Sequence, residues 1–165
     1  MRDTPRIEGV TDASSLRFAI VVSVYHRSIT NSLRDGAIAA LRQAGAVFKG
    51  SEIDPITVVE VPGAFEIPLI ARLTAESRSI DAVVCLGCVI RGETPHFDYI
   101  ASAVSYGIMT ASQATRVPIT FGILTTNTRE EAESRAGDGP SNKGREAALA
   151  AVQLANVVAK LPSGR

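Results

Sequence analysis

Four short apolar runs, each followed by a stretch with helical spacing, constrain the fold of this chain more than any other feature. Their β-branched residues and lack of polar alternation are typical of strands that are buried on both faces. Strands that alternate with helices are joined by right-handed crossovers into a parallel sheet. The sequence therefore predicts an α/β fold, a three-layer α/β/α sandwich with a central four-stranded parallel sheet. The predicted strands are Phe18 to Val24, Ile56 to Val61, Ala82 to Leu86 and Pro118 to Leu124.

The length of the chain indicates how many domains it forms, and its charge indicates which classes of partner to expect. Its 165 residues suffice for one domain, which would bury about 70% of the surface that the unfolded chain exposes. Seventeen basic and seventeen acidic residues cancel and no Lys/Arg-rich run is present, so nucleic acid is not an expected partner. Without a signal peptide or an apolar stretch of about 18 residues, we expect a cytoplasmic protein with no membrane partner. We expect residues 16–165 to form a single domain, and residues 1–15 to be a flexible arm or an edge strand supplied to a neighbour.

The stretch from Asp81 to Tyr99 joins a buried strand to a polar loop and a histidine. We expect the strand to end at Gly87, Thr94 to cap the following helix, and His96 to lie in its first turn. Amide N–H groups without partners attract anions at a helix start, and the same positive end disfavours an imidazolium ion. The sequence therefore predicts a histidine that accepts a proton or contacts a ligand. The simpler alternative is a histidine that only covers the helix start.

Polar and aromatic residues also follow the first two predicted strands. Tyr25 and His26 follow the first strand. After the second strand, the turn around Gly63 brings Glu66 to the start of a helix. By itself, Glu66 is more simply an acid at a favourable helix end. Because the carboxyl ends of parallel strands meet at one edge, we expect Tyr25, Glu66 and His96 to share a binding crevice there.

Capping residues predict where three of the helices begin. Thr30 or Ser32 is suitable as the N-cap of the first helix, and Thr128 with Glu131 forms a capping box for the fourth. After a short loop, Lys143 is expected to open the final helix. These starts place one helix between each pair of successive strands and two after the last strand.

Both cysteines lie in one C-x-x-C motif, Cys85 and Cys88, which raises the question of a redox pair or a zinc site. Residues three apart in a strand point to opposite faces, whereas a redox motif of this kind starts a helix. Zinc would require further ligands, and the two histidines, His26 and His96, have no ligand spacing. We therefore expect no metal site and no redox function for the cysteines.

Three segments resemble the 6,7-dimethyl-8-ribityllumazine synthase family of riboflavin biosynthesis. They are residues 61–66 (VPGAFE), 87–99 (GCVIRGETPHFDY) and 135–144 (RAGDGPSNKG), within a resemblance that extends from Leu16 to Val158. It implies a flavodoxin-like fold and a transferase. The implied reaction condenses 5-amino-6-(D-ribitylamino)uracil with 3,4-dihydroxy-2-butanone 4-phosphate, releasing phosphate and water. It implies no metal and no organic cofactor.

The resemblance also implies a role for each matching residue. By position, His96 is similar to the histidine that transfers protons during imine formation, phosphate loss and ring closure in this family. A backbone loop and two cations form the implied phosphate site, since a guanidinium fork suits a phosphate. The implied phosphate site comprises Gly92, Glu93, Thr94, Arg135 and Lys143. The implied ribityl and pyrimidine site comprises Tyr25, His26, Gly63, Ala64, Glu66, Cys88, Val89, Ile90 and Phe121.

The chain departs from the family pattern at two places. Val24, Tyr25 and His26 stand where Arg, Phe and Asn are common, and Cys88 stands where Thr or a small residue is frequent. Tyr25 keeps an aromatic face for stacking on the heterocycle. His26 would change substrate affinity or add a second titrating group, and we assign it no catalytic task.

An assembly is implied as well. Family sites lie between neighbours in a pentamer, so Phe121, Arg135 and Lys143 are expected across an interface from His96. The helix after His96 lacks a clear solvent face, which favours a homo-oligomer. Some members form a shell of twelve pentamers, and riboflavin synthase is a further implied partner. Two alternatives are a non-catalytic flavin or lumazine binder and an archaeal-type riboflavin synthase, which joins two lumazines.

Overall fold

Four parallel strands and five helices make up the described part of the computed structural model, residues 4–47 and 53–162. The strand order is 2-1-3-4, and every pairing in it is parallel. The predicted α/β class and the central parallel sheet are therefore confirmed. The strands are β1 (Phe18–Ser23), β2 (Ile56–Val61), β3 (Ala82–Ile90) and β4 (Ile119–Thr126). The helices are α1 (Arg27–Gln43), α2 (Ile67–Glu76), α3 (His96–Thr115), α4 (Arg129–Ala136) and α5 (Lys143–Lys160).

The two faces of the sheet carry separate hydrophobic cores. Phe18, Ile20 and Val22 of β1 belong to the core that α1, α4 and α5 cover. Ala19 and Val21 belong to the other core, which α2 and α3 cover. Because alternate residues of a strand face opposite sides, a strand buried on both faces must be apolar throughout. The three-layer arrangement is therefore confirmed.

The strand order creates a crevice between β1 and β3. The chain moves from β1 to β2 on one side, then crosses back over β1 to reach β3 on the other. The crossover helices α1 and α2 consequently cover opposite faces of the sheet. Ligands of open α/β sheets bind at such a switch point, beyond the carboxyl ends of the strands.

Strand β3 is longer than the sequence predicts. It continues to Ile90 and does not end at Gly87, and β4 continues past Leu124 so that Ile90 pairs with Thr126. A Cβ on Gly87 would lie 3.2 Å from a side-chain carbon of Ile67. The glycine therefore permits close packing between the sheet and α2, and it does not mark a strand end.

Two helices start differently from the prediction. α1 begins directly after His26, so Thr30 and Ser32 lie inside the helix and the prediction that one of them caps it is wrong. The left-handed backbone of His26, with φ of 57°, turns the chain into the helix at once. His96 lies in the first turn of α3, as predicted, but the N-cap is Pro95, so the prediction that Thr94 caps this helix is wrong.

The capping box of α4 and the start of α5 are confirmed. The N–H of Glu131 donates to Oγ1 of Thr128 over 3.2 Å, and the Glu131 carboxylate accepts from the N–H of Asn127 over 2.9 Å. α5 begins at Lys143, as predicted. Among the helices of the described ranges, none combines the length and the apolar character needed to cross a membrane.

The segment before β1 contacts α5 of the same chain. Asn156 donates hydrogen bonds to the carbonyl oxygens of Val10 and Asp12 over 3.2 and 2.9 Å. The assignment of residues 1–15 to an arm and of residues 16–165 to one domain stays a prediction, and both chain ends lie outside the described residues.

Candidate active site

A cavity of about 980 Å³ opens at the carboxyl edge of the sheet. Its walls come from the ends of β1, β2 and β3, the first turns of α3, and the first residue of α4. Tyr25, Glu66 and His96, which the sequence predicts at one edge, line this same cavity. Further predicted site residues that line it are His26, Gly63, Ala64, Cys88, Val89, Ile90, Gly92 and Thr94. Glu93 is exposed on the same loop and does not line it.

Tyr25 presents its ring at the tip of β1. The residue is 66% exposed, and its ring centroid lies 4.6 Å from that of His26 in an edge-to-face arrangement. The N–H of Tyr25 donates to the carbonyl of Pro62 over 3.2 Å, just beyond the bond from Val24 to Val61. This extension of the sheet holds the backbone, so the aromatic face is available for stacking on a planar ligand.

His26 satisfies an unusual backbone requirement. It has φ of 57° and ψ of 45°, and its carbonyl accepts the N–H groups of Ile29 and Thr30 over 2.9 and 3.1 Å. Asn and His adopt this left-handed conformation more readily than most residues do. Burial and, to a lesser extent, the nearby charge of Arg129 lower the pKa of His26. A neutral imidazole is therefore favoured at this wall of the cavity.

Glu66 directs a carboxylate toward the cavity from the start of α2. It ends a short 3-10 turn that begins at Ala64, and it precedes the first residue of the helix. A Cβ on Gly63 would lie only 3.0 Å from Oε2 of Glu66, so the carboxylate folds back over this turn. The carboxylate accepts no hydrogen bond from any described residue. Its oxygens are therefore available to ligand hydroxyl groups.

The loop Gly92–Thr94 extends from β3 with little support of its own. Its residues are exposed, and no atom lies within 4 Å of the point where a Cβ on Gly92 would stand. The loop is fastened at its base, where the guanidinium of Arg91 donates to both oxygens of Asp98 over 2.9 and 3.2 Å. The same guanidinium lies 4.2 Å from the centre of the Phe97 ring. Within the described ranges the loop N–H groups have no acceptor, so they are available to an anion.

His96 lies where this loop meets α3. It is the first residue of the helix, its side chain is exposed, and it lines the cavity. The described residues offer its imidazole neither a hydrogen bond nor an ion pair. Both ring nitrogens are therefore accessible to a ligand, as a group that transfers protons requires.

The two cysteines face opposite cores. Cys85 belongs to the core beneath α2 and α3, and Cys88 to the core beneath α1 and α5, as predicted. Both thiols are free, and burial raises the pKa of both, that of Cys88 to about 11 despite the opposing charge of Arg129. Such thiols are poor nucleophiles, so Cys88 contributes apolar surface. No cluster of three or more potential metal ligands occurs within residues 4–47 and 53–162.

Phe121, Arg135 and Lys143 line a second cleft of about 480 Å³. No residue of this cleft also lines the cavity of His96. Lys143 pairs with Glu146 at 2.7 Å. A single chain therefore does not bring these three predicted site residues to the histidine.

A buried asparagine fixes the segment between Arg135 and Lys143. Asn142 is 3% exposed, and its side-chain oxygen accepts the backbone N–H three residues later over 3.0 Å. Its amide group donates to the carbonyls of Ala136 and Ser32 over 2.9 and 3.1 Å, which joins α4, α5 and α1. The sequence predicts a loop up to Asn142, whereas the structure shows this residue as the N-cap of α5. An asparagine directly before a predicted helix start was the signal for this N-cap.

Four further residues line the cavity that the sequence did not predict as site residues. Phe65, Phe97 and Ile100 add apolar surface, and Arg129 adds a positive charge. The position of Arg129 was accessible from the sequence, because it follows the capping residue Thr128 directly after the fourth strand. The positions of the Phe65 and Phe97 rings were not predictable, because their directions depend on how α2 and α3 pack.

Comparisons with known proteins agree with the family resemblance that the three sequence segments indicate. The sequence model of the family described as 6,7-dimethyl-8-ribityllumazine synthase matches residues 15–159. The curated 6,7-dimethyl-8-ribityllumazine synthase of Salinibacter ruber (strain DSM 13855 / M31) is 46% identical over 155 residues. That alignment covers 94% of this chain and 96% of the relative, so the similarity extends over nearly all of both chains.

Proposed function

Because the chain belongs to the 6,7-dimethyl-8-ribityllumazine synthase family, we propose that the cavity containing His96 is the place where it performs the family reaction. The protein is a transferase of riboflavin biosynthesis. It condenses 5-amino-6-(D-ribitylamino)uracil with 3,4-dihydroxy-2-butanone 4-phosphate, and it releases phosphate and water. Its substrates are small molecules with planar, hydroxylated and anionic parts.

The meeting of an aromatic ring, a carboxylate and an imidazole in one cavity carries this proposal. Tyr25, Glu66 and His96 come from loops after three different strands. The ring suits stacking on the pyrimidine, the carboxylate suits the ribityl hydroxyls, and the imidazole suits proton transfer. A fold alone does not identify a reaction, so these side chains and the family membership together support the proposal.

We assign the proton transfers to His96. Imine formation joins the 5-amino nitrogen of the uracil to the ketone carbon and expels the ketone oxygen as water. The carbon–oxygen bond to phosphate then breaks, the resulting enol becomes a ketone, and the ribityl-bearing nitrogen closes the ring with loss of a second water. Each step moves a proton onto or away from nitrogen, oxygen or carbon. The accessible ring of His96 supports this assignment.

We assign the remaining cavity residues to the uracil substrate. Glu66 and the turn at Gly63 and Ala64 hold the ribityl chain. This assignment is supported by the Glu66 carboxylate, which lies beside the turn and accepts no hydrogen bond from the described residues. The pyrimidine lies against Tyr25, His26 and the end of β3. The residues of that strand end are Cys88, Val89 and Ile90, to which a neighbouring subunit adds Phe121.

We assign the phosphate to two segments from different subunits. One subunit supplies the loop Gly92–Thr94, whose N–H groups donate no hydrogen bond to any described residue. The neighbour supplies Arg135 and Lys143, whose charges suit a phosphate. The separate cleft of these two cations supports a contribution across an interface, because they do not reach the cavity of their own chain.

An exposed apolar surface supports a homo-oligomer. Six large apolar side chains on or beside α2 and α3 are each more than half exposed, which is unusual for a monomer. We propose that a neighbouring copy covers them in a pentamer, and native mass measurement distinguishes a pentamer from a shell of twelve. Association with riboflavin synthase and a cytoplasmic location stay predictions. The six residues are Phe65, Leu69, Leu73, Tyr99, Tyr106 and Met109.

A direct assay tests the proposed reaction. The purified protein is mixed with both substrates, and lumazine absorbance is followed against a mixture without protein. We expect lumazine to form faster than in the uncatalysed control. A rate equal to that control would refute the proposal. Tight riboflavin binding without turnover would favour the non-catalytic alternative, which neither comparison supports, and riboflavin formed from lumazine alone would indicate the archaeal-type reaction.

A further inference from the structure

Arg129 is the cationic residue of the cavity that the resemblance leaves without a role. It is the first residue of α4, and it enters the cavity from the β4 side, whereas the assigned residues come from β1, β2, β3 and α3. Among the described residues, one other carboxylate or guanidinium group lines this cavity. It is the carboxylate of Glu66, on the opposite side at β2. A positive charge is therefore built into one wall of the cavity by the chain itself.

The start of α4 is held firmly, so the backbone of Arg129 has a defined position. Thr128 accepts the N–H of Glu131 over 3.2 Å, and the hydroxyl of Thr126 donates to the carbonyl of Thr128 over 2.9 Å. The guanidinium pairs with Glu133 at 3.4 Å, its one partner within the described ranges. Since a guanidinium carries five N–H donors, most of them remain available toward the cavity.

The charge of Arg129 acts on the wall formed by His26 and Cys88. It contributes, after burial, to the lowered pKa of His26, and it opposes the burial that raises the pKa of Cys88. Arg129, His26 and Cys88 all line the same cavity. His26 and Cys88 are also among the residues where the chain departs from the family pattern, and both belong to the surface assigned to the pyrimidine.

We propose that Arg129 is a specificity-determining residue, whose guanidinium donates a hydrogen bond to a ring carbonyl of the pyrimidine substrate from the wall it shares with His26 and Cys88. The inference rests on the proposed function, because that function supplies the substrate. A uracil ring presents carbonyl oxygens at its edge, and a guanidinium donates without accepting, so the two groups match. A buried thiol at Cys88 and a neutral His26 leave Arg129 as the cation on this wall.

Two substitutions of Arg129 and one control separate this role from others. R129M removes the charge and the donors while keeping length, and R129K keeps a charge without the planar fork. E133Q is the matched control, because it alters the protein partner of the guanidinium and lies outside the cavity. The Michaelis constants of both substrates and the dissociation constant of the product lumazine, from fluorescence, are measured for each variant.

R129M is expected to raise the Michaelis constant of the uracil substrate and the dissociation constant of lumazine about 10- to 100-fold, as for loss of a hydrogen bond to a charged group. The constant for the phosphate substrate should change less than about twofold, R129K should be intermediate, and E133Q should match the wild type. Unchanged uracil and lumazine constants, a rise confined to the phosphate substrate, or equal rises for both substrates would overturn the proposal. If the wild type shows no turnover, the proposed function fails, and the lumazine constants still test Arg129.

Discussion

The two segments assigned to the phosphate differ in how the chain supports them. The loop Gly92–Thr94 is exposed and makes no described backbone hydrogen bond through its N–H groups, and a Cβ on Gly92 would meet no atom within 4 Å. The connection from Arg135 to Lys143 is pinned by Asn142, whose buried side chain makes four hydrogen bonds within the described ranges. The first segment has room to adjust around a ligand, and the second is fixed before any ligand binds.

This difference follows from what each segment contributes. Backbone N–H groups on a short loop adapt to an anion with little loss of side-chain freedom. A long cationic side chain loses more entropy on binding, so a fixed helix end that orients Arg135 and Lys143 reduces the cost. We therefore expect substitutions that disturb the support of the fixed segment to change stability, and substitutions of side chains assigned to the substrates to change catalysis or binding.

Two glycine substitutions give the largest expected contrast. In Gly144→Ala the new Cβ would overlap the carbonyl oxygen of Leu33, so α5 must shift away from α1. We expect the free energy of unfolding to fall by about 3 kcal/mol, and Gly92→Ala to change it by less than about 0.5 kcal/mol. Urea unfolding at one protein concentration measures both. Equal stabilities for the two variants would remove the distinction between the segments.

Replacement of the histidine tests the cavity side of the comparison. His96→Ala is expected to slow turnover about 100- to 1,000-fold because a proton-transfer group is lost. Its unfolding free energy should stay within about 0.5 kcal/mol of the wild type, since the imidazole is exposed. Ser102→Ala, at an exposed position of the same helix, is the control and should keep full turnover. A rate for His96→Ala equal to that control contradicts the proton-transfer role.

Removal of a cation from the fixed segment gives a smaller, selective effect. Arg135→Ala should raise the Michaelis constant of the phosphate substrate about 10- to 100-fold, because a charge-assisted hydrogen bond is lost, while that of the uracil changes little. Arg17→Ala, whose exposed side chain lies at the opposite end of the sheet before β1, is the matched control. Steady-state kinetics with each substrate varied in turn provide the measurement. Equal increases for both substrates would argue against a phosphate contact.

The smallest expected effect is a pH dependence at His26. Burial and then the charge of Arg129 lower the folded pKa of His26 below its ordinary value of 6.5, so the unfolded chain binds the proton more readily. Stability from this residue is fully present above that value and falls as the pH decreases from 6.5 toward the folded pKa. A hydrogen bond from Arg42 lowers the pKa of Asp54, so this carboxylate is protonated only at lower pH and does not contribute to the change expected for His26.

Urea unfolding at about pH 7.5 and about pH 5.5 measures the His26 effect. The loss of stability between the two values should be smaller in His26→Asn, which keeps a residue suited to left-handed backbone and removes the titrating ring. An identical loss in the wild type and the variant would mean that His26 does not contribute to the pH dependence of folding.

Specific residues show how much of the fold and of the candidate site could be predicted from the sequence. The apolar strands, the capping box of α4 and the convergence of Tyr25, Glu66 and His96 were predictable, because each depends on local pattern or on the rule that parallel strands share an edge. The extension of β3 through Gly87 was not, because pairing with β4 decides it. Asn142 was missed for a similar reason, since its partners lie on α1, α4 and α5.

The amino-acid sequence by itself determined the layered α/β architecture, because runs that are apolar on both faces must lie between two helical layers. It also carried the family segments that identify the reaction. Only the tertiary structure decided which further side chains join Tyr25, Glu66 and His96 in the cavity, Arg129 among them, and that Arg135 and Lys143 line a separate cleft. Distances between residues far apart in the chain depend on strand order, register and helix packing, which no local pattern specifies.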